Sequence, residues 1–444
     1  MSQNIQSVQL KKTISFWALV LFGVGDMLGS GIYALIGKVS GVTGNAIWLA
    51  FTVSMIAALL TAFTYAVLGS RYPKAGGSAF IIQRAFHIPQ LSYAIGLTVA
   101  ASGLTSMAVQ ARAFGGYFSG IMPSLPFSAV VIAFITLLTV INLAGINESS
   151  IANIICSLVE ASGLFIIIFF GIKYWGSVNY LEFPKSSTGG DFIALMTLQG
   201  AMLAFYSFIG FEDMLNISEE VDQPEKIFSK ALIVSIIITS VIYIAVSISV
   251  VSVIPFSELA ASKQPLVDAL KKANPGFPIG ILSGIALFAI FNTALINFIM
   301  GSRMLYGMSR QGLLPSVFNK LLPGRKTPWS AILFLAIMVL FLVFVSDIGD
   351  LASSTTLLLL CVFIVMNTAL LVLQNRKGEF EEKQKLHPFI PVTGTVICLA
   401  LIVVRFVFLA NSMKSFIIAA GLIICIFLLY LTMKPAKIIE EETN

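Results

Sequence analysis

Four of the 21 acidic residues sit where an acid is most costly, inside long apolar runs: Asp26, Glu160, Glu212 and Asp213. A carboxyl group at membrane depth marks an ion or proton pathway by default. The bland reading is a protonated acid bonded to backbone, or one paired with a rare membrane base such as Arg112. Close to two of these acids the apolar runs are interrupted. Gly29-Ser30-Gly31 breaks the run Phe16 to Ile36, with Gly23, Gly25 and Asp26 just before it. Ser207-Phe208-Ile209-Gly210-Phe211-Glu212 breaks a later run. Unwound backbone survives in lipid only where its N–H and C=O groups meet protein, water or a ligand.

The two breaks suit opposite charges. Unwinding at Gly29, Ser30 and Gly31 leaves N–H groups at the start of a half-helix, whose partial positive charge suits a carboxylate. Glycine there allows the twist and a ligand's close approach. The second break leaves carbonyls around Tyr206 and Ile209 at a half-helix C-terminus, which suits an ammonium group. Together they make an α-amino acid the natural ligand. Phe205, Tyr206, Phe208 and Phe211 are candidates for an aromatic lid or a cation–π face. Against this stands simple packing, since small residues also line helix contacts in membranes and most of 35 phenylalanines face lipid. Two breaks, one in each half, favour a site.

The elements that must position these groups are membrane helices. The chain is 57% hydrophobic and 11% charged, with a mean hydropathy of +0.95, which excludes an ordinary soluble domain. Apolar runs long enough to span a bilayer recur near 16–37, 45–69, 90–119, 127–145, 151–175, 193–218, 228–254, 278–308, 329–345, 351–373, 389–410 and 415–433. The expected fold is an all-α membrane protein of about twelve helices. Each break opens a block of five, about 16–175 and about 193–374. An odd number of spans reverses the second block, giving a five-plus-five inverted repeat in one transporter domain over 1–444. Two extra helices, about 389–433, would lie at the periphery.

Charge placement sets the topology. With a cytoplasmic N-terminus, the inner side receives eighteen of the 27 Lys and Arg residues. Both termini are therefore expected inside, in a plasma (inner) membrane. The net charge of +6 follows from this bias and does not point to nucleic acid. Polar residues precede Phe16 and no small-residue cleavage site follows, so the first run is expected to remain as an uncleaved insertion signal. Cys156, Cys361, Cys398 and Cys425 are isolated in apolar runs and are expected as small core residues without disulfides. His87 and His387 fall in loops. With no His cluster and no phosphate loop, neither a metal, a cofactor nor nucleotide hydrolysis is expected. No nucleophile–base pair at membrane depth suggests an enzyme.

Several segments resemble the amino acid–polyamine–organocation superfamily of permeases. Gly29-Ser30-Gly31-Ile32 looks like its first-helix signature, and Pro73-Lys74-Ala75-Gly76-Gly77-Ser78-Ala79-Phe80 is similar to its loop before the third helix, with Phe80 where Tyr is usual. Gly210-Phe211-Glu212 and Glu219-Glu220-Val221-Asp222-Gln223-Pro224 resemble the sixth-helix break and the acidic segment after it. Ser302-Arg303-Met304-Leu305-Tyr306, then Arg310-Gln311-Gly312-Leu313-Leu314-Pro315 and Thr327-Pro328, follow in family order. Gln311 replaces the more usual Asp or Asn.

The resemblance implies a secondary amino acid transporter working by alternating access. It assigns Ser30 and Gly31 to the substrate carboxylate and the Met27, Tyr206 and Ile209 carbonyls to the amine. Tyr206 falls near a bulky gate in some relatives, and Glu212 where some have an acid linked to gating or coupling. Glu160 lies near where some proton-coupled relatives carry a lysine, so their coupling chemistry does not transfer and Glu160 becomes the candidate proton carrier. The reading is proton-coupled symport or exchange, with the proton as coupling ion. Sodium is less favoured because Asn292-Thr293 offers no obvious hydroxyl pair. Cationic amino acid or polyamine exchange is the alternative, and a non-transporting sensor is a weaker one for want of a signalling segment.

Overall fold

Lipid gives an unpaired backbone group no partner, so long apolar runs must become helices. The computed structural model describes residues 14–73, 77–145, 150–184, 193–311, 313–381, 384–407 and 413–433. The segments before Ile14 and after Met433, and Lys74 to Gly76, Glu148-Ser149, Lys185, Gly312 and Lys383, lie outside the described residues. Among those described there is no strand, only an isolated bridge between Ile14 and Val221.

The helices are α1 (Phe16–Leu28), α2 (Ser30–Thr43), α3 (Ile47–Arg71), α4 (Gly77–Phe86), α5 (Pro89–Ile121), α6 (Phe127–Ala144), α7 (Ser150–Gly171), α8 (Ile193–Phe205), α9 (Pro224–Val253), α10 (Phe256–Ala261), α11 (Pro265–Ala273), α12 (Ile279–Arg310), α13 (Trp329–Val345), α14 (Ile348–Asn375), α15 (Phe389–Val407) and α16 (Met413–Met433). Ten helical stretches among the described residues are long and apolar enough to cross a membrane, α2 and α3 running as one. Two shorter apolar helices, α1 and α13, accompany them. Proline opens α5, α9 and α11, where its missing N–H costs nothing. Asp347 caps α14 by accepting from the N–H groups of Gly349 and Asp350.

The exterior is apolar, and small hydroxyl residues are buried within a largely apolar interior. Phe169, Ile337, Val241 and Phe427 are each at least 60% exposed, whereas Ser54, Thr61, Ser235 and the run Ser353 to Thr356 are buried. This pattern fits a surface solvated by lipid. α5 packs on α12 and α14, α3 on α8 and α9, and α1 between α7 and α9. α16 is mostly uncovered. The buried Arg405 of α15 joins Asp350 of α14 at 3.3 Å and bonds Ser415 of α16, fixing the last two helices to the bundle. The core expectation for cysteine needs correction: Cys398 is buried, but Cys361 and Cys425 are exposed on helices that carry apolar residues on both faces.

Polar contacts fasten the start of α1 and the α3–α4 corner to later segments. Ile14 donates to the Glu220 carbonyl at 3.1 Å and accepts from Asp222 at 3.0 Å, joining the start of α1 to the segment before α9. Nearby, Glu379 gathers the corner between α3 and α4. It accepts from the Tyr72 hydroxyl at 2.6 Å, pairs with Arg84 at 3.1 Å and offers its backbone carbonyl to Arg71 at 2.9 Å. Burial pushes the Glu379 carboxyl up, but the Tyr72 and Arg84 hydrogen bonds and the Arg84 charge outweigh that and hold it below the usual carboxylate range. A depressed carboxyl stabilises the fold above the unfolded value, near pH 4.3, and that contribution is lost as pH falls through the lower folded value. Glu379→Gln should therefore lower stability by about 1 kcal/mol at pH 7. Thermal midpoints taken down to pH 3.5 should show the gap closing; a gap independent of pH would refute the assignment.

Candidate functional site

The first break is one residue long. α1 ends at Leu28, Gly29 leaves helical geometry with ψ −145°, and α2 resumes at Ser30. The Ser30 N–H donates to Thr293 Oγ1 of α12 at 3.3 Å. A Cβ on Gly29 would collide with that same hydroxyl, so glycine is needed for the close approach. Gly31 is already the second residue of α2 and lies so close to the second break that a Cβ would sit 2.7 Å from Ser207 Cα.

The second break is longer. α8 ends at Phe205, and Tyr206–Phe208 form a single 3-10 turn closed by the Ile209 N–H to the Tyr206 carbonyl at 3.2 Å. Ile209 is extended, Gly210 takes φ +124°, and the chain continues as a 3-10 helix over Asp213–Glu220. The Glu212 carboxylate accepts the Gly210 N–H at 3.0 Å, folding the acid back over the break. A Cβ on Gly210 would meet Asp26 Cγ at 3.0 Å and the Asp26 carbonyl at 3.1 Å. The two breaks therefore touch twice, Gly31 against Ser207 and Gly210 against Asp26.

A third element ties them together. The Tyr243 hydroxyl, on α9, donates to the Ser207 carbonyl at 2.8 Å and to the Met27 carbonyl. Each carbonyl is left free by one of the breaks. Met27, Gly29, Ser30 and Gly31 of the first break and Gly210 of the second are thus brought together, with Ser207, Tyr243 and Thr293 added by the fold, and Tyr206 and Ile209 are chain neighbours of Ser207 and Gly210. Both breaks lie in a chain whose family model, described as amino acid permease, matches residues 14–431. The chain belongs to the amino acid permease family. Among its relatives are the branched-chain amino acid permease BcaP of Bacillus subtilis, 26% identical over 88% of this chain and 88% of that protein. The methylthioribose transporter of the same organism is 28% identical over 90% of this chain and 89% of its own. The low-affinity putrescine importer PlaP of Escherichia coli is 25% identical over 88% of each.

The permease places its membrane acids in distinct surroundings. Glu160, 1% exposed on α7, accepts from Asn292 Nδ2 of α12 at 3.0 Å, while its backbone carbonyl accepts the Tyr33 hydroxyl of α2 at 2.8 Å. Arg112, weighed from sequence as a partner for an acid, donates instead to the Val343 carbonyl at 2.5 Å. Asn292 and Thr293 are adjacent, so α12 links the Glu160 carboxyl to the first break through two consecutive side chains. Asp26 Oδ2 is buried without a hydrogen-bond partner. Asp213 accepts from Asn216 at 3.1 Å.

The aromatic residues form a cluster inside the protein. Phe205, Phe208 and Phe211 are fully buried, and Phe208 packs edge-on against the Tyr243 ring at 5.3 Å. The Tyr206 hydroxyl meets Ser106 Oγ of α5 at 2.8 Å, and Gln110, one turn on, donates from Nε2 to that Ser106 Oγ at 3.4 Å. Sequence reasoning missed Tyr243, although one signal was present. It is the single tyrosine in the apolar run Ile236 to Val253, and a buried phenol needs a partner.

Proposed function

We propose that this permease is a secondary active transporter that carries an α-amino acid by alternating access. The observation that carries the reading is the meeting of the two breaks: the N-terminus of α2 packs against Ser207, and the Met27 and Ser207 carbonyls share the Tyr243 hydroxyl, so donors for a carboxylate and acceptors for an ammonium lie together. In this reading Ser30 and Gly31 take the carboxylate, and Thr293 releases the Ser30 N–H as substrate arrives. Met27 and the second-break carbonyls, those of Tyr206 and Ile209 included, take the amine. Phe208 and Glu212 belong to the gate.

The same reading makes the bundle a twelve-helix, five-plus-five inverted repeat, with α1–α2 and α8 to the 3-10 helix as the broken members. The end that carries the Ile14 and Glu379 contacts is then cytoplasmic, with both termini, in the plasma membrane. A proton is the coupling ion, carried at Glu160, because Asn292 is a neutral partner that either form of the carboxyl can keep. A cationic amino acid or polyamine is the second reading of the cargo, favoured by the unpartnered Asp26 oxygen beside Gly210.

Ligands that bind the native state raise its melting midpoint by mass action. A thermal-shift panel of the twenty proteinogenic amino acids plus putrescine on purified protein should give upward shifts for a subset of α-amino acids. Shifts by arginine, lysine and putrescine with none by alanine, serine or leucine would replace the first reading of the cargo by the second. A panel with no shift at all would remove the amino acid site.

A further inference from the structure

We propose that the Tyr243 hydroxyl is a place-holder for the substrate's ammonium group: in the empty transporter it occupies the acceptors that the amine takes when cargo binds. The inference rests on the reading of the breaks as an amino acid site. It adds a residue from α9 that the site needs when nothing is bound.

Two carbonyls released by helix breaks lie deep in the bundle, and both must find a donor. The Tyr243 hydroxyl supplies it to Met27 and to Ser207 together. Those two carbonyls come from different breaks, so one phenol bridges the pair. A hydroxyl has a single proton, which two acceptors must share, whereas an ammonium has three N–H donors and can satisfy both at once. Exchanging phenol for ammonium therefore improves the bonding of the carbonyls. The better donor displaces the poorer one.

The ring is not free to drift away on its own. Phe51 of α3 and Phe208 of the second break flank it at 5.5 and 5.3 Å, and the side chain is fully buried. Displacing the hydroxyl must shift this aromatic cluster, and Phe208 is part of the segment that has to rearrange. Arrival of the amine is thereby felt at Phe208 without direct contact between them. Bridging both carbonyls also holds the two breaks in register.

A simple strut and a place-holder differ in the sign of one measurement. If Tyr243 only supports the site, Tyr243→Phe weakens substrate binding. If it competes with the amine, the same variant has a lower melting midpoint when empty yet binds amine-bearing ligands more tightly, by roughly fivefold for the loss of one competing hydrogen bond. The experiment compares wild type and Tyr243→Phe by thermal shift and equilibrium binding. The probes are the α-amino acid that shifts wild type most and its 2-hydroxy acid analogue, which lacks the amine. Tighter binding confined to the amino acid supports the place-holder; unchanged or weaker binding overturns it.

Should Tyr243→Phe not purify folded, 3-fluorotyrosine placed at position 243 alone keeps the question open to test. Its fluorine resonance should move on adding the amino acid and stay put with the hydroxy acid. A resonance indifferent to the amino acid overturns the proposal. If wild type itself is shifted by no amino acid in the panel, the amine site and the place-holder fall together. If wild type is shifted and the variant does not bind more tightly, only the place-holder falls.

Discussion

Gly31→Ala and Gly210→Ala are expected to reduce amino acid uptake in proteoliposomes by at least roughly tenfold, the effect of about 1.4 kcal/mol added to the transport barrier. At Gly31 a methyl group would lie 2.7 Å from the Ser207 Cα. Backbone cannot rotate out of the way, so the two breaks must part, taking the Met27 and Ser207 carbonyls off their shared donor. At Gly210 the strain has a second source. A φ of +124° is far from what a residue with a side chain adopts, at a cost of about 1–3 kcal/mol. The added methyl would also press on the Asp26 backbone. Gly324→Ala is the matched control. Its φ of +82° carries comparable strain, but open space surrounds the site and it lies in the loop before α13. It should lose stability and keep uptake. Normal transport by Gly31→Ala would show that the close approach of the breaks is not needed for the cycle.

The breaks were legible because they contradict their surroundings. Gly29, Ser30 and Gly31 fall together in the run Phe16 to Ile36, and Gly210 stands between Phe208, Ile209 and Phe211 just before Glu212. The long spans were legible for the same reason that they fold: apolar length. The reading of 90–119 became Pro89–Ile121, and 278–308 became Ile279–Arg310. Short elements were not legible. The ten residues of α4 follow a Pro-Lys-Ala-Gly-Gly turn signal and are too few to show a period. Residues 213–220 read as a continuing helix, yet the backbone after Gly210 tightens into a 3-10 helix. Least legible were the partners. Thr293 reaches Ser30 and Tyr243 reaches Met27 across 263 and 216 residues of sequence. Nothing local in an apolar helix records which distant carbonyl its one hydroxyl will meet. The partner of Glu160 shows the same limit, since the sequence pointed to no particular partner and the fold supplies the amide of Asn292 from 132 residues away.

That neutral pairing sets up the sharpest test of coupling. Glu160→Gln keeps the shape of the side chain and keeps an Oε1 acceptor for Asn292, so the link from α7 through α12 to the Ser30 N–H stays intact. What it removes is the ability to take up and release a proton. If Glu160 is the carrier, an imposed pH gradient should no longer drive accumulation in proteoliposomes. Wild type with one proton per substrate can gain up to roughly tenfold accumulation for each pH unit of gradient. The variant should fall to the level seen without a gradient. Exchange of labelled for unlabelled substrate needs no net proton movement, and should continue in Glu160→Gln. Loss of both activities would instead mark Glu160 as part of the helix contact. Asn292→Leu distinguishes the roles further: it strips the carboxyl of its amide but leaves the proton site, so gradient-driven uptake should weaken while still responding to pH. Accumulation by Glu160→Gln that still follows the gradient would place the proton on another group, and Asp26, with its unpartnered oxygen against the second break, is the next to replace.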